Sequence, residues 1–268
     1  MSRKTLIRGL LLVVGMYLAC AALARFLAGR VLYYPEMGSR RAPDGVQKIR
    51  GLDGKDIAVL YLHNPAARFT IWFFHGNGED LGDIEAGLHE FREAGFSVFA
   101  ADYPGYGLSD GRPSESALNS SARAARSYLR ETLGVTSGQT LLYGRSLGGG
   151  PAVQMATEER VAGLILQSTF TSVYRVVTRR RVLPYDYFEN ERKLTRVSSP
   201  VLVMHGGRDE VIPFAHGEAL FAAAPEPKRF FRVPRAAHND FPVIAGRGFW
   251  DALREFSDVC ARRIEPAP

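Results

Sequence analysis

Residues 140–158 read TLLYGRSLGGGPAVQMATE, and the fold turns on how this stretch is understood. Thr140 to Tyr143 is an apolar run of strand length. Gly144-Arg145-Ser146-Leu147-Gly148 follows as G-x-S-x-G, then Gly149, Gly150 and a helix-forming run, so that a helix is expected over Leu147 to Glu158. Strand, tight turn and helix is the context in which a serine is raised on a strained turn at a strand end. Small residues on both sides keep the turn clear of the neighbouring strand and helix.

Outward from this stretch the same alternation continues. Apolar runs of strand length at Thr70 to Phe74, Ser97 to Ala101, Gly163 to Gln167, Val201 to Met204 and Phe230 to Val233 alternate with helical patterns at Ile84 to Ala94, Ser114 to Leu133, Phe214 to Ala223 and Phe249 to Ile264. This predicts an α/β fold with a mostly parallel central sheet and helices on both faces. Val46 to Leu62 reads as a hairpin turning at Asp53-Gly54, which adds antiparallel strands at one edge. In such sheets the groups that act on ligands stand just after the strands.

A serine hydroxyl is a weak nucleophile near neutral pH and needs a base, itself oriented by a third group. Of the six histidines, His63, His89 and His216 read as structural or solvated. His75 and His205 precede glycines at strand ends and shape the site without acting as base. His238, in the loop Arg235-Ala236-Ala237-His238-Asn239-Asp240 after the last strand, is the candidate base. Asp209, in the loop after VLVMHG, is the candidate orienting acid. Asp186 lies away from the strand ends, and Asp240 is too near His238 in sequence. A developing oxyanion needs two N–H donors. The amide of Leu147, at the start of a helix, supplies one. The loop His75-Gly76-Asn77-Gly78 supplies the other, with Asn77 the first choice and Gly78 the second, because its glycines permit close backbone approach.

The chain has 268 residues, 46% hydrophobic and 23% charged, with 2 Cys and 15 Pro, which excludes a disordered chain, a collagen-like repeat and a disulfide scaffold. Its formal charge of +6 comes from 34 Lys and Arg spread along the chain. No nucleic-acid signature accompanies them, and a negatively charged membrane surface is the more economical partner. Leu6 to Ala28 is apolar apart from Arg8 and Arg25. Its uncharged part, Gly9 to Ala24, spans about 24 Å as a helix against a hydrocarbon core of ~30 Å, and the flanking arginines can snorkel. Residues 1–34 are read as a retained signal anchor and its flank. The alternatives are a signal peptide cleaved after Ala22-Leu23-Ala24, giving a secreted protein, and lipidation at Cys20. Positive residues flank both ends of the run, and the orientation only leans towards N-terminus inside and the domain on the outer, periplasmic or luminal, side. Cys20 and Cys260 are not expected to pair. Residues 35–45, PEMGSRRAPDG, read as a linker, and 46–268 as the catalytic domain.

With these residues in place the chain resembles α/β-hydrolase-fold serine hydrolases, specifically the membrane-anchored ABHD-type group with minimal lids that includes lysophospholipases and depalmitoylating thioesterases. The resemblance rests on the apolar N-terminus followed by Tyr33-Tyr34-Pro35, FFHGNGED at 73–80, DYPGYGLSDG at 102–111, YGRSLGGG at 143–150, HGGRDEVIPFAHG at 205–217 and AAHNDF at 236–241. It implies Ser146 as nucleophile, Asp209 as acid and His238 as base, in the chain order of α/β-hydrolases. Asn77 and Leu147 become the oxyanion donors, and Asp102 and Tyr103 a loop that holds the site together. His75, Gly76, Gly78 and Arg145 line or support it. Ala236-Ala237 departs from the glycine commoner before the histidine.

Residues 169–197 form the insertion that becomes a small lid. Its Arg175, Arg179, Arg180 and Arg181 are candidates for anionic headgroups, and Tyr174, Tyr185, Tyr187 and Phe188 for an acyl slot or for packing of the cap. The expected activity is hydrolysis of an ester or thioester through an acyl-enzyme, on a small-molecule or lipid acyl substrate near a membrane, with no metal or organic cofactor. The alternatives are a peptidase on the same fold, disfavoured because the chain lacks room for the propeller domain of oligopeptidase relatives, and a non-catalytic membrane-tethered binding protein.

Overall fold

The computed structural model describes residues 2–264 and divides into two units, Met1–Tyr34 and Pro35–Pro268. The first is essentially one helix, α1 (Arg3–Leu32), whose segment Arg3–Phe26 is long and apolar enough to cross a membrane. Cys20 in this helix and Cys260 are both free thiols.

The second unit is built on eight strands, β1 (Gln47–Arg50), β2 (Asp56–Leu62), β3 (Thr70–Phe74), β4 (Ser97–Ala101), β5 (Thr140–Arg145), β6 (Gly163–Gln167), β7 (Val201–Gly206) and β8 (Lys228–Val233). They form one sheet in the order β1-β2-β4-β3-β5-β6-β7-β8. β1 and β2 pair antiparallel around the expected Asp53-Gly54 turn, β2 pairs antiparallel with β4, and every later pairing is parallel. The helices are α2 (Leu81–Glu93), α3 (Glu115–Glu131), α4 (Gly149–Glu158), α5 (Val173–Thr178), α6 (Asn190–Leu194), α7 (Ala215–Ala223), α8 (Phe241–Ala245) and α9 (Arg247–Ile264). The expected elements thus fall where the periodicity puts them, with ends moved by a few residues, and the short helices α5, α6 and α8 are additions that the periodicity does not mark. α2 starts three residues before the expected Ile84 because Asp80 caps the amides of Gly82 and Asp83 while Asp83 answers the backbone of Asp80.

Side chains alternate across each buried strand. Phe73 and Tyr143 stack at 5.0 Å and pack with Phe91 and Phe249 in one core with α2 and α9. Trp72 and Leu142, pointing the other way, lie near Leu129 of α3 and Met155 of α4. Close packing demands a bare backbone at Gly163, where a Cβ would stand 2.7 Å from the Cys260 sulfur.

The segment 35–45 is not a free linker. The Ser39 hydroxyl and the Arg40 amide donate to the carboxylate of Asp80, the Ser39 amide donates to Asp83, and Arg41 pairs with Glu85 at 2.8 Å. Asp80, already the cap of α2, therefore also fastens this stretch to the body, and no local sequence pattern announces that second use.

Candidate active site

β5 delivers Ser146 into a single 3-10 turn, Ser146–Gly148, before α4 begins, so the α-helix starts two residues later than expected. Ser146 takes a left-handed φ of 51°, which a non-glycine residue holds only when its surroundings impose it. The surroundings are the flanking glycines. A Cβ on Gly144 would lie 2.6 Å from the Gly149 Cα, one on Gly148 would overlap the Phe74 carbonyl, and one on Gly149 would overlap Thr169. The Thr169 hydroxyl closes the turn by donating to the Ser146 carbonyl at 2.6 Å.

The structure brings Ser146, His238 and Asp209 into one chain of hydrogen bonds. His238 Nε2 stands 3.0 Å from Ser146 Oγ, and its Nδ1 stands 3.0 and 2.9 Å from the two carboxylate oxygens of Asp209. Asp209 also accepts from the amides of Val211 and Ile212 at 3.0 and 2.7 Å, and His205 Nε2 lies 3.4 Å away while bonding the Ile212 carbonyl at 2.9 Å. Burial alone would raise the pKa of Asp209. The hydrogen bonds from His205 and His238 and the charge of His238 outweigh it and hold the carboxyl well below its usual range. With Nδ1 donating to that carboxylate, Nε2 is left to accept from the serine.

The other acids considered are occupied elsewhere. Asp186 accepts from the amides of Tyr174 and Tyr187, and Asp240 from Ala237 at 2.7 Å. Neither Ala236 nor Ala237 needs a positive φ, so the departure from glycine leaves the histidine loop intact.

In the loop after β3, Asn77 Oδ1 accepts from the Tyr106 hydroxyl at 2.6 Å and Gly78 turns the chain at φ 74°. His75 is fully buried against Tyr103, their ring centroids 4.0 Å apart, and the Tyr103 hydroxyl donates to the His75 carbonyl at 2.8 Å. Asp102 accepts from the amides of Leu81 and Leu108 at 2.8 and 3.1 Å, linking the start of α2 to the loop after β4. Its burial pushes its pKa up to about 7 against those two donors. Arg145 donates to Glu79 and, at 2.9 Å, to Asn239, while Glu79 accepts from the Gly76 amide. Glu79 and Asn239 were not singled out from the sequence. The available signal is only their position inside the two motif loops.

Of the remaining histidines, His63 and His89 are exposed, as expected, and His216 is buried, accepting at Nδ1 from the Thr171 amide at 3.1 Å. In the cap, Phe188 does not face a slot. It is buried against Phe170 and occupies the space left by Gly150, where a Cβ would overlap its ring. Tyr174, Tyr185 and Tyr187 are half-buried and form a triangle of edge contacts, with centroids 5.8 to 6.4 Å apart. Arg175 pairs with Glu191 and the exposed Arg181 with Glu189, which leaves Arg179 and Arg180 as exposed cations of that run that form no ion pair among the described residues.

Human Alpha/beta hydrolase domain-containing protein 17B is 36% identical over 226 residues, covering 81% of this chain and 77% of that protein. This chain belongs to the α/β-hydrolase family. The Xenopus laevis 17B protein is similar at 37% identity over the same shares, and residues 65–183 match the family described as "Hydrolase_4: Serine aminopeptidase, S33". Among solved structures, the Pyrococcus furiosus esterase Pf2001 superposes with a TM-score of 0.67 at 15% identity, covering 80% of this hydrolase and 91% of that chain. Est1E from Butyrivibrio proteoclasticus does so at 0.65 and 18%, covering 81% and 99%. Both likenesses speak for the α/β-hydrolase fold.

Proposed function

We propose that this α/β hydrolase is a serine hydrolase that cleaves carboxylic esters or thioesters of acyl substrates through an acyl-enzyme, with 35–268 as its catalytic unit and 1–34 as its membrane anchor. The observation that carries this reading is the hydrogen-bonded chain Asp209, His238, Ser146. His238 takes the proton of Ser146 as Oγ attacks the acyl carbonyl, and returns it to the departing alkoxide or thiolate. Water, deprotonated by the same imidazole, then releases the acid. Asp209 holds the ring with Nε2 towards the serine and stabilises the imidazolium. The amides of Leu147 and Asn77 receive the oxyanion, a role typically worth about 10²- to 10³-fold in rate per donor. Asp102, Tyr103 and His75 keep the Asn77 loop in place. The esterase name of the Pyrococcus furiosus neighbour agrees with ester cleavage, and the basic N-terminal flank favours a catalytic unit on the outer side of the membrane.

An aminopeptidase reading follows from the name of the matching family. It needs a carboxylate free to hold a substrate ammonium beside the serine: Glu79, Asp186 and Asp240 are each already engaged, and the exposed Glu210, 3.4 Å from the His238 amide, is the candidate that this reading would use. The test is covalent labelling of the full chain with a fluorophosphonate beside Ser146→Ala, with p-nitrophenyl esters of increasing chain length and an aminoacyl p-nitroanilide as reporters. Labelling lost in Ser146→Ala together with ester turnover supports the reading. Turnover of the anilide alone would replace it with the peptidase, and absence of labelling in the folded chain would end it.

A further inference from the structure

From Pro35 onward, the large apolar side chains that the described residues leave exposed are not scattered. Val177 (85% exposed) and Val182 lie in the cap, Val211 two residues after Asp209, and Val243 (80%) and Ile244 in α8, just after His238. Met37 (70%) packs under Gly78 in the Asn77 loop, and Leu52 sits in the β1–β2 turn. Because β2 runs antiparallel to β4, that turn too lies at the end where the parallel strands finish. All seven therefore stand at the end of the sheet on which Ser146 opens. The opposite end offers small and polar residues in its exposed turns, such as Ala66, Gln139 and Glu226.

The charges at this end are lopsided in the same direction. Five of its acids are engaged, Glu79 by Arg145, Glu189 by Arg181 and Arg192, Glu191 by Arg175, Asp53 by Lys55 and Asp56 by Arg50, while Glu36, Asp110 and Glu210 are exposed and, among the described residues, form no ion pair. Against those three acids stand six arginines, Arg40, Arg112, Arg179, Arg180, Arg208 and Arg235, which are exposed and, among the described residues, form no ion pair. Isolated apolar tips interleaved with uncompensated guanidinium groups are the composition of a surface that sits in a bilayer interface, with apolar groups at the acyl boundary and cations at the headgroup phosphates. The same chain carries α1, long and apolar enough to cross a membrane.

We propose that this end of the catalytic unit is a membrane-docking face whose partner is a bilayer surface bearing anionic lipids. Met37, Val177, Val243 and Ile244 enter the acyl boundary, and Arg179, Arg180 and Arg208 meet headgroup phosphates, so that the serine opens on the lipid rather than on bulk water. This deepens the proposed function, on which it rests for the meaning of the site, by giving the source of the acyl substrate as the lipid phase.

The experiment places an environment-sensitive fluorophore on single cysteines, Val177→Cys, Val243→Cys and Ala66→Cys, in full-length protein carrying Cys20→Ser, the buried Cys260 being left in place. The protein is reconstituted into vesicles of phosphatidylcholine with or without phosphatidylserine, and quenching by lipids spin-labelled on the acyl chain is read. Docking predicts quenching at positions 177 and 243 at least about threefold stronger than at 66. Arg179→Glu with Arg180→Glu, or omission of phosphatidylserine, should remove about half of that excess. Equal quenching at all three positions, as a bare tether would give, overturns the proposal, and so does an excess indifferent to both the arginines and the anionic lipid. No turnover enters the readout, so a failure of the hydrolase reading leaves this result standing.

Discussion

The guanidinium of Arg145 and the carboxylate of Glu79, 66 positions apart in the chain, form an ion pair one residue from Ser146. Through Asn239 on one side and the Gly76 amide on the other, this pair joins the nucleophile turn, the histidine loop and the Asn77 loop. Arg145 is thus a positioning residue rather than a group that touches substrate. Arg145→Met strands Glu79, whose side chain is only 19% exposed, and should lower kcat on a soluble ester about tenfold with little change in KM. Glu79→Gln keeps an acceptor for Gly76 and should lose less. A double-mutant cycle read in kcat should show coupling of about 1 kcal/mol or more, and additive losses would mean that the two residues act separately.

Asp209→Asn preserves size and the acceptor for the Val211 and Ile212 amides, and removes the charge that holds His238 in its tautomer. Turnover of p-nitrophenyl butyrate should fall about 10³- to 10⁴-fold in a chain that still unfolds cooperatively. A loss under about tenfold would take Asp209 out of the acid role.

Two glycine substitutions should have opposite signs in urea unfolding. Gly148→Ala drives a Cβ into the Phe74 and His75 carbonyls, which as backbone cannot step aside, and should cost about 3 kcal/mol or prevent folding. Gly87→Ala, inside α2 with open space around it, should stabilise by about 0.5 to 1 kcal/mol.

His216 sets a pH dependence of stability. Burial, helped by the nearby charges of Arg175 and His205, pushes its pKa down to about 4 from the ordinary 6.5. Between those values the unfolded chain binds a proton that the folded chain refuses. The stability is present above pH 6.5 and is lost as pH falls towards 4, up to about 3 kcal/mol. Asp102, raised to about 7, works the other way over the same range, since there the folded chain holds the extra proton. Comparing the parent with His216→Gln, which keeps an acceptor for the Thr171 amide, isolates the histidine: the parent should lose more stability than the variant between pH 7 and pH 4. Parallel curves would contradict the assignment.

The alternation of strand and helix, the turn after Tyr143 and the choice of Ser146, Asp209 and His238 were all legible in the residues. Each rests on local physics: apolar periodicity marks which runs are strands, a parallel sheet puts the chemistry just after them, and glycines mark the one turn tight enough to lift a serine. The antiparallel edge was equally legible, because Asp53-Gly54 specifies its turn without help from the rest of the chain.

Other features were decided by contacts between segments remote in sequence, which no periodicity records. The stretch 35–45 has the composition of a linker, yet bonds to Asp80 some 40 positions away hold it against α2. Phe188 has the composition of an acyl slot, but the space above Gly150 draws it into the core. Arg145 and Asn239, 94 positions apart, meet only because β5 and the loop after β8 lie at the same, carboxyl, end of the parallel strands. Local sequence determined which elements form and which residues close them. The tertiary structure decided where long, rotatable side chains on those closing loops find their partners, because that choice depends on which strand ends the sheet order brings within hydrogen-bond reach.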